Sequence, residues 1–72
     1  MIPLSLAHGK VKIKEIKGNG DFVKRLADMG LTTGQILEIV TNGPPVIVRI
    51  RDSEIALGHG IAKRVFVEVI DV

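Results

Sequence analysis

Residues 22–34 constrain the fold most, because they carry the only convincing helical pattern in a chain otherwise built from short β-branched runs. Apolar residues recur there at three- and four-residue spacing, as on one face of an amphipathic helix: Phe22, Val23, Leu26, Ala27 and Met29. Asp21 is the predicted N-cap, since its side-chain oxygen can accept a hydrogen bond from the first free N–H groups. Lys24, Arg25 and Asp28 are left facing water.

The end of this helix carries a specific stop signal. Gly30 stands where a left-handed residue commonly terminates a helix, and Leu31 follows where it can contact Leu26 in a Schellman motif. Residues 32–34, Thr-Thr-Gly, then predict a tight turn that returns the chain to extended structure at Gln35.

Strand patterns occupy most of the remaining chain. Alternation or β-branched runs mark five strands, at residues 10–14, 35–41, 46–50, 54–57 and 65–69. The alternation slips at Glu15 and Ile16, which predicts a bulge there. Leu4 and Leu6 are expected to pin the N-terminal segment to the core, and residues 58–64 to form a single 3₁₀-like turn. The sequence therefore predicts one domain, residues 1–72, that is mainly β: a small closed five-stranded SH3-like barrel with one α-helix after the first strand and a short helical turn before the last strand.

Composition restricts the expected location and the available cysteine chemistry of the protein more than it restricts its function. The chain has 72 residues, no cysteine and a formal net charge of +2, so neither a disulfide nor a thiolate metal site is available. No run approaches the roughly 20 apolar residues of a membrane-spanning helix, and the apolar N-terminus is too short for a signal peptide. We expect a cytoplasmic protein. Its mildly basic balance permits an acidic partner surface, nucleic acid or anionic lipid without selecting among them.

The residues needed for catalysis are missing from the pattern. A hydrolase or transferase needs a nucleophile beside a base, or paired carboxylates, and neither Ser5 nor Ser53 has such a neighbour in sequence. We therefore expect no enzyme activity and no cofactor. His8 and His59 are the candidate metal ligands, although their spacing matches no metal-binding motif and solvated turn residues are the simpler interpretation.

A lysine stripe raises the question of nucleic-acid binding. Lys10, Lys12 and Lys14 alternate along the first predicted strand, which places three positive charges on one face. The chain has no Trp, no Tyr and only two Phe, so it lacks the aromatic platforms on which single-strand and RNA readers stack bases. A solvated strand face explains the lysines equally well, and we expect no nucleic-acid partner.

Three segments resemble a known family. Leu6 and Gly9, the run Arg-Leu-Ala-Asp-Met-Gly-Leu-Thr-Thr-Gly-Gln at residues 25–35, and Ile-Ala-Leu at residues 55–57 are together similar to the ferrous iron transport protein A (FeoA) family. The similarity runs nearly end to end. Thr33 departs from it, because the family usually has proline before Gly34.

The resemblance implies an SH3-like domain that acts with a FeoB-type membrane GTPase in ferrous iron uptake, peripheral to the membrane only through that partner. The expected docking surface is the exposed helix side and the turn beside it: Lys24, Arg25, Asp28, Leu31, Thr32, Thr33 and Gly34. Leu31, like Leu26 and Met29, could instead be core. Two alternative functions stay open: a nucleic-acid-binding barrel that uses the lysine face, and a ferrous-ion sensor that uses His8 or His59. The oligomeric state is open as well.

Overall fold

A computed structural model describes residues 1–71. In chain order the elements are β1 (Ile2–Pro3), a 3₁₀ helix (Leu4–Leu6), β2 (Gly9–Ile16), α1 (Gly20–Asp28), β3 (Ile36–Asn42), β4 (Val46–Ile50), β5 (Ser53–Leu57), α2 (His59–Ala62) and β6 (Val65–Asp71). The mainly β architecture is confirmed, with one helix after the first long strand and a short helix before the last. Neither α1 nor α2 is long and apolar enough to cross a membrane.

All neighbouring strands are antiparallel, in the order β1-β6-β2-β3-β4-β5. Two details differ from the closed five-stranded barrel that the sequence predicts. A sixth strand is present, because Ile2 and Pro3 pair with Val67 and Phe66. Within residues 1–71 no ladder joins β5 to β1, so the sheet is not closed. Proline has no backbone donor, and an edge strand as short as β1 tolerates it.

The core is one cluster that draws on nearly every element. Alternate residues of the strands face inward, as a pleated sheet requires, and the helices each add one buried side chain. The buried set is Leu4, Ala7, Val11, Ile13, Leu26, Leu31, Leu37, Ile39, Val46, Val48, Ile50, Leu57, Ala62, Val65 and Val67. Leu6, expected in the core, is 66% exposed instead, because it follows Leu4 within a 3₁₀ turn whose one buried residue is Leu4.

Two local features of the backbone can be compared with the sequence prediction. The register of β2 against β6 shifts between Ile13 and Glu15, which confirms the predicted bulge. The segment before β6 is a four-residue α-helix rather than a 3₁₀ turn, and its backbone bonds are of both kinds: Ala62 N–H reaches the Gly58 oxygen at 3.0 Å, and Ile61 N–H reaches the same oxygen at 3.1 Å.

Candidate docking surface on the helix and the following turn

The N-cap of helix α1 lies two residues before the predicted cap. Asn19 is the N-cap, since its side-chain oxygen accepts a hydrogen bond from the Phe22 N–H at 2.9 Å. Asp21, the predicted cap, lies in the first turn, where its negative charge faces the positive end of the helix dipole. The prediction of Asp21 as the cap is wrong because Gly20 enters the helix as its first residue.

The end of α1 is the Schellman motif that the sequence predicts. Leu31 N–H donates to the Leu26 oxygen at 2.9 Å, and Gly30 N–H donates to the Ala27 oxygen at 2.9 Å. Gly30 has φ of 88°, the left-handed conformation that glycine adopts without steric cost. Leu26 and Leu31 are both buried, at 2% and 0% exposure. The Leu31 side chain is therefore core, and it is not available on the expected docking surface.

The turn after α1 is tied to the middle of the sheet. Gln35 N–H donates to the Thr32 oxygen at 3.0 Å, and Gly34, at the third position of the turn, has φ of 93°, which defines a type II turn. Gly34 N–H also donates to the Ile13 oxygen at 2.7 Å, and Ile13 N–H donates to the Gln35 oxygen at 2.9 Å. Thr32 and Thr33 are exposed on this anchored frame.

The exposed side of α1 is more apolar than the sequence suggests. Lys24, Arg25 and Asp28 are exposed as expected, but Val23 and Met29, assigned to the core face, are 36% and 40% exposed. At roughly 100° per residue the five apolar positions span about 160° of the helix, whereas a core-facing stripe needs only about 100°. That excess width is the signal that could have identified Val23 and Met29 as surface residues.

Cation–aromatic contacts connect α1 to the segment before β6. The Arg64 guanidinium lies 5.2 Å from the centre of the Phe22 ring, and the Lys17 ammonium lies 4.7 Å from the centre of the Phe66 ring. Lys17 N–H also donates to the Arg64 oxygen at 2.8 Å. Both phenylalanines thus have a face covered by a cation of the chain itself, which leaves them poorly suited to stack on bases.

The lysine stripe is interleaved with carboxylates. Lys10 lies opposite Glu38 on β3 and Asp71 on β6, and Lys12 lies opposite Glu68. Directly opposite residues share one face of a sheet, so acidic groups alternate with the lysines where a phosphate backbone would have to lie. This arrangement weakens the nucleic-acid alternative, because counterion release requires uncompensated cations.

A second charge cluster lies on β3, β4 and β5. Arg49 contacts the Glu54 carboxylate at 2.7 Å and the Glu38 carboxylate at 3.4 Å. The hydrogen bond and the charge of Glu54 raise the pKa of Arg49 above its usual value. All three side chains are half-exposed, so this cluster orders the surface more than it stabilises the fold.

The two candidate metal ligands lie in exposed positions. His8 precedes β2 and His59 begins α2. Among residues 1–71 no group of three or more His, Asp or Glu side chains is placed to hold a metal ion. His59 instead lines an open apolar cleft of about 390 Å³ together with Ser5, Leu6, Asn42, Gly43, Pro44 and Val46.

These features are those of an SH3-like domain: a small antiparallel sheet, the helix α1 with its glycine-terminated end, and an anchored type II turn. The FeoA domain family model matches residues 5–69. The chain therefore belongs to the FeoA domain family, whose members are small proteins associated with ferrous iron transport.

Individual relatives agree with this assignment. The chain is 35% identical over 71 residues to a protein of Methanocaldococcus jannaschii provisionally named Fe(2+) transport protein A, with 94% of this chain and 87% of that protein covered. The crystal structure of an iron uptake regulatory protein (FeoA) superposes with a TM-score of 0.84 at 30% identity, covering 93% of each chain. A FeoA-like protein from Clostridium acetobutylicum superposes with a TM-score of 0.78 at 26% identity, covering 99% of this chain and 88% of that one.

The same fold occurs inside a longer protein. ScaR, solved with bound Zn²⁺, superposes with a TM-score of 0.84 at 23% identity, covering 97% of this chain and 37% of that one. At this identity the similarity concerns the fold alone.

Proposed function

We propose that this protein is a non-enzymatic accessory factor of ferrous iron uptake that docks on the cytoplasmic part of a FeoB-type membrane GTPase and modulates its nucleotide turnover or transport. Membership of the FeoA family supports the connection to ferrous iron. The observation that carries the docking proposal is that Val23 and Met29, apolar residues at the two edges of the charged side of α1, are exposed. This side of the helix is followed by a turn that is anchored to the sheet.

The composition of this surface matches that of a docking site. Protein interfaces combine apolar with polar or charged side chains, and this helix side provides both. At about 100° per residue, its charged residues Lys24, Arg25 and Asp28 lie between the two exposed apolar ones, Val23 and Met29. The exposed charges on this helix side are two cations, Lys24 and Arg25, and two carboxylates, Asp21 and Asp28. Recognition there therefore depends on the placement of individual charges rather than on net charge. Thr32 and Thr33 extend the surface without adding charge.

The attachment of the turn to the sheet also supports docking. The type II turn is bonded through Gly34 and Gln35 to Ile13, a fully buried residue of β2. A surface held in place before binding loses less conformational entropy when a partner binds. Within residues 1–71 Arg25 makes no ion pair, so its guanidinium is available to a partner carboxylate.

The test is co-purification with the detergent-solubilised, full-length FeoB-type GTPase from the same organism, with and without a GTP analogue. The native protein is compared with Arg25→Glu, and Lys14→Glu is the matched control because it makes the same charge change on β2. We expect Arg25→Glu to lower retention by at least about tenfold, the usual scale of like-charge juxtaposition at an interface, and Lys14→Glu to be retained as the native protein is.

GTP hydrolysis by the transporter, measured with each variant, separates docking from modulation. Retention without any change of hydrolysis or transport would remove the modulatory part of the proposal. If the native protein is not retained in any nucleotide state, direct docking is wrong. Equal retention of Arg25→Glu and native protein would move the interface away from α1.

A further inference from the structure

The outer face of the sheet carries a transverse row of alternating charges. Read from β6 to β5, directly opposite residues on successive strands form what we term the outer charge row: Asp71, Lys10, Glu38, Arg49 and Glu54. All five are exposed. The signs alternate without interruption, from minus on β6 to minus on β5, so no two like charges are neighbours in the row.

An alternating row of this kind is complementary to itself. A two-fold axis that runs parallel to the strands, in the plane between the two facing sheets and level with the gap between β2 and β3, brings Lys10 of one copy opposite Glu38 of the other and Glu38 opposite Lys10. The same axis brings Asp71 opposite Arg49. Each of these four encounters joins opposite charges, whereas most protein surfaces meeting their own copy place some like charges together, at considerable cost.

Apolar side chains lie beside the proposed axis. Ile36 and Val40 flank Glu38 along β3, with exposures of 48% and 43%. They are the exposed large apolar residues of this central strand, and a sheet face that met only water would place polar residues there. A second copy would cover them and leave the charge row to determine register, the division of roles seen in other interfaces.

We propose that a second copy of this chain docks face to face on the outer charge row, related by a two-fold axis between β2 and β3. Four strands span only about 15 Å, so the interface belongs to the small class below about 1,200 Å² and the dimer is weak. Closed two-fold symmetry is the commonest arrangement for such self-association. The row shares no residue with the helix surface, so this proposal stands or fails independently of docking on a transporter.

The test is analytical ultracentrifugation of the full chain from micromolar to millimolar concentration, at low and at high salt. We expect a concentration-dependent dimer that weakens with salt, since exposed charges are screened beyond about 10 Å at 0.1 M. Lys10→Glu and Glu38→Lys should each weaken self-association by at least about tenfold, because symmetry repeats each like-charge encounter twice. An equimolar mixture of the two variants should dimerise again, because the carboxylates of one then meet the lysines of the other.

Lys14→Glu is the matched control, since Lys14 lies on the same strand outside the row, and it should dimerise as the native protein does. Circular dichroism establishes that each variant is folded; all of these side chains are exposed. The neutral variants Lys10→Gln and Glu38→Gln should give intermediate weakening. A native protein that stays monomeric at millimolar concentration and low salt overturns the proposal. So does a dimer that survives either charge reversal, or a variant mixture that fails to associate.

Discussion

Exchanging glycine for alanine at the two ends of α1 should change stability in opposite directions. At Gly30 an added Cβ would meet no atom closer than Ile50 Cδ1 at 4.0 Å, so the space is free, but φ is 88°. The left-handed conformation costs an L-residue about 1–2 kcal/mol. At Gly20, the first residue of the helix, nothing lies within 4 Å and φ is not in that region. Alanine is accommodated there without strain.

The net effects follow from both states of the chain. Alanine reduces the entropy of the unfolded chain, which stabilises by about 0.4–1 kcal/mol at either position. Gly30→Ala should therefore lower the free energy of unfolding by about 1 kcal/mol after strain is included, and Gly20→Ala should raise it by about 0.5 kcal/mol. For a domain of this size 1 kcal/mol corresponds to about 4–8 °C in Tm.

Thermal and urea unfolding followed by circular dichroism measure both changes. Gly30→Asn provides a second check, because asparagine tolerates the left-handed region and should lose less than alanine. Finding Gly30→Ala as stable as the native protein, or Gly30→Asn less stable than Gly30→Ala, would refute the account of this helix end.

Two further predictions concern the same segment. Thr33→Pro should stabilise by about 0.4–1 kcal/mol, because the second position of a type II turn favours proline and the Thr33 N–H donates no backbone bond within residues 1–71; a lower urea midpoint would contradict this. Asn19→Ala should cost about 1 kcal/mol through loss of the N-cap, whereas Asp21→Ala, which removes only a favourable charge at the helix dipole, should cost about 0.3–1 kcal/mol. The same unfolding curves compare these two variants, and a larger loss at Asp21 would restore it as the cap.

The end of α1 could be predicted from sequence because its causes are local. Gly30 and Leu31 are the second and third residues after the end of the helix at Asp28. Their hydrogen bonds back to the last turn require only backbone geometry that neighbouring residues determine. The start of the helix was predicted wrongly, because Asn19 and Asp21 are both good caps by residue type and only Asp21 was considered. Residue type does not distinguish these two caps, and the structure shows that Asn19 is the one used.

Features that depend on strand pairing were beyond the sequence patterns. Strand β1 is two residues long and contains proline, so only its partner on β6 makes it a strand. The lysine stripe was visible as alternation along β2, but Glu38 and Asp71 become its neighbours only through the registers of β3 and β6. The exposed apolar residues on α1 are a different case, because the width of the helix's apolar face, visible in the sequence, already exceeds that of a core-facing stripe.

The position of β6 in the sheet has a consequence for synthesis of the chain. β2 forms early in the sequence, yet one of its two partners is β6, through pairs such as Ile13 with Val67. Val65 and Val67, both fully buried, are also absent from the core until this strand is made. A nascent chain that ends before residue 65 therefore exposes one edge of β2 and an incomplete core to its surroundings. The complete core and the second edge of β2 can therefore form only after β6 has left the ribosome.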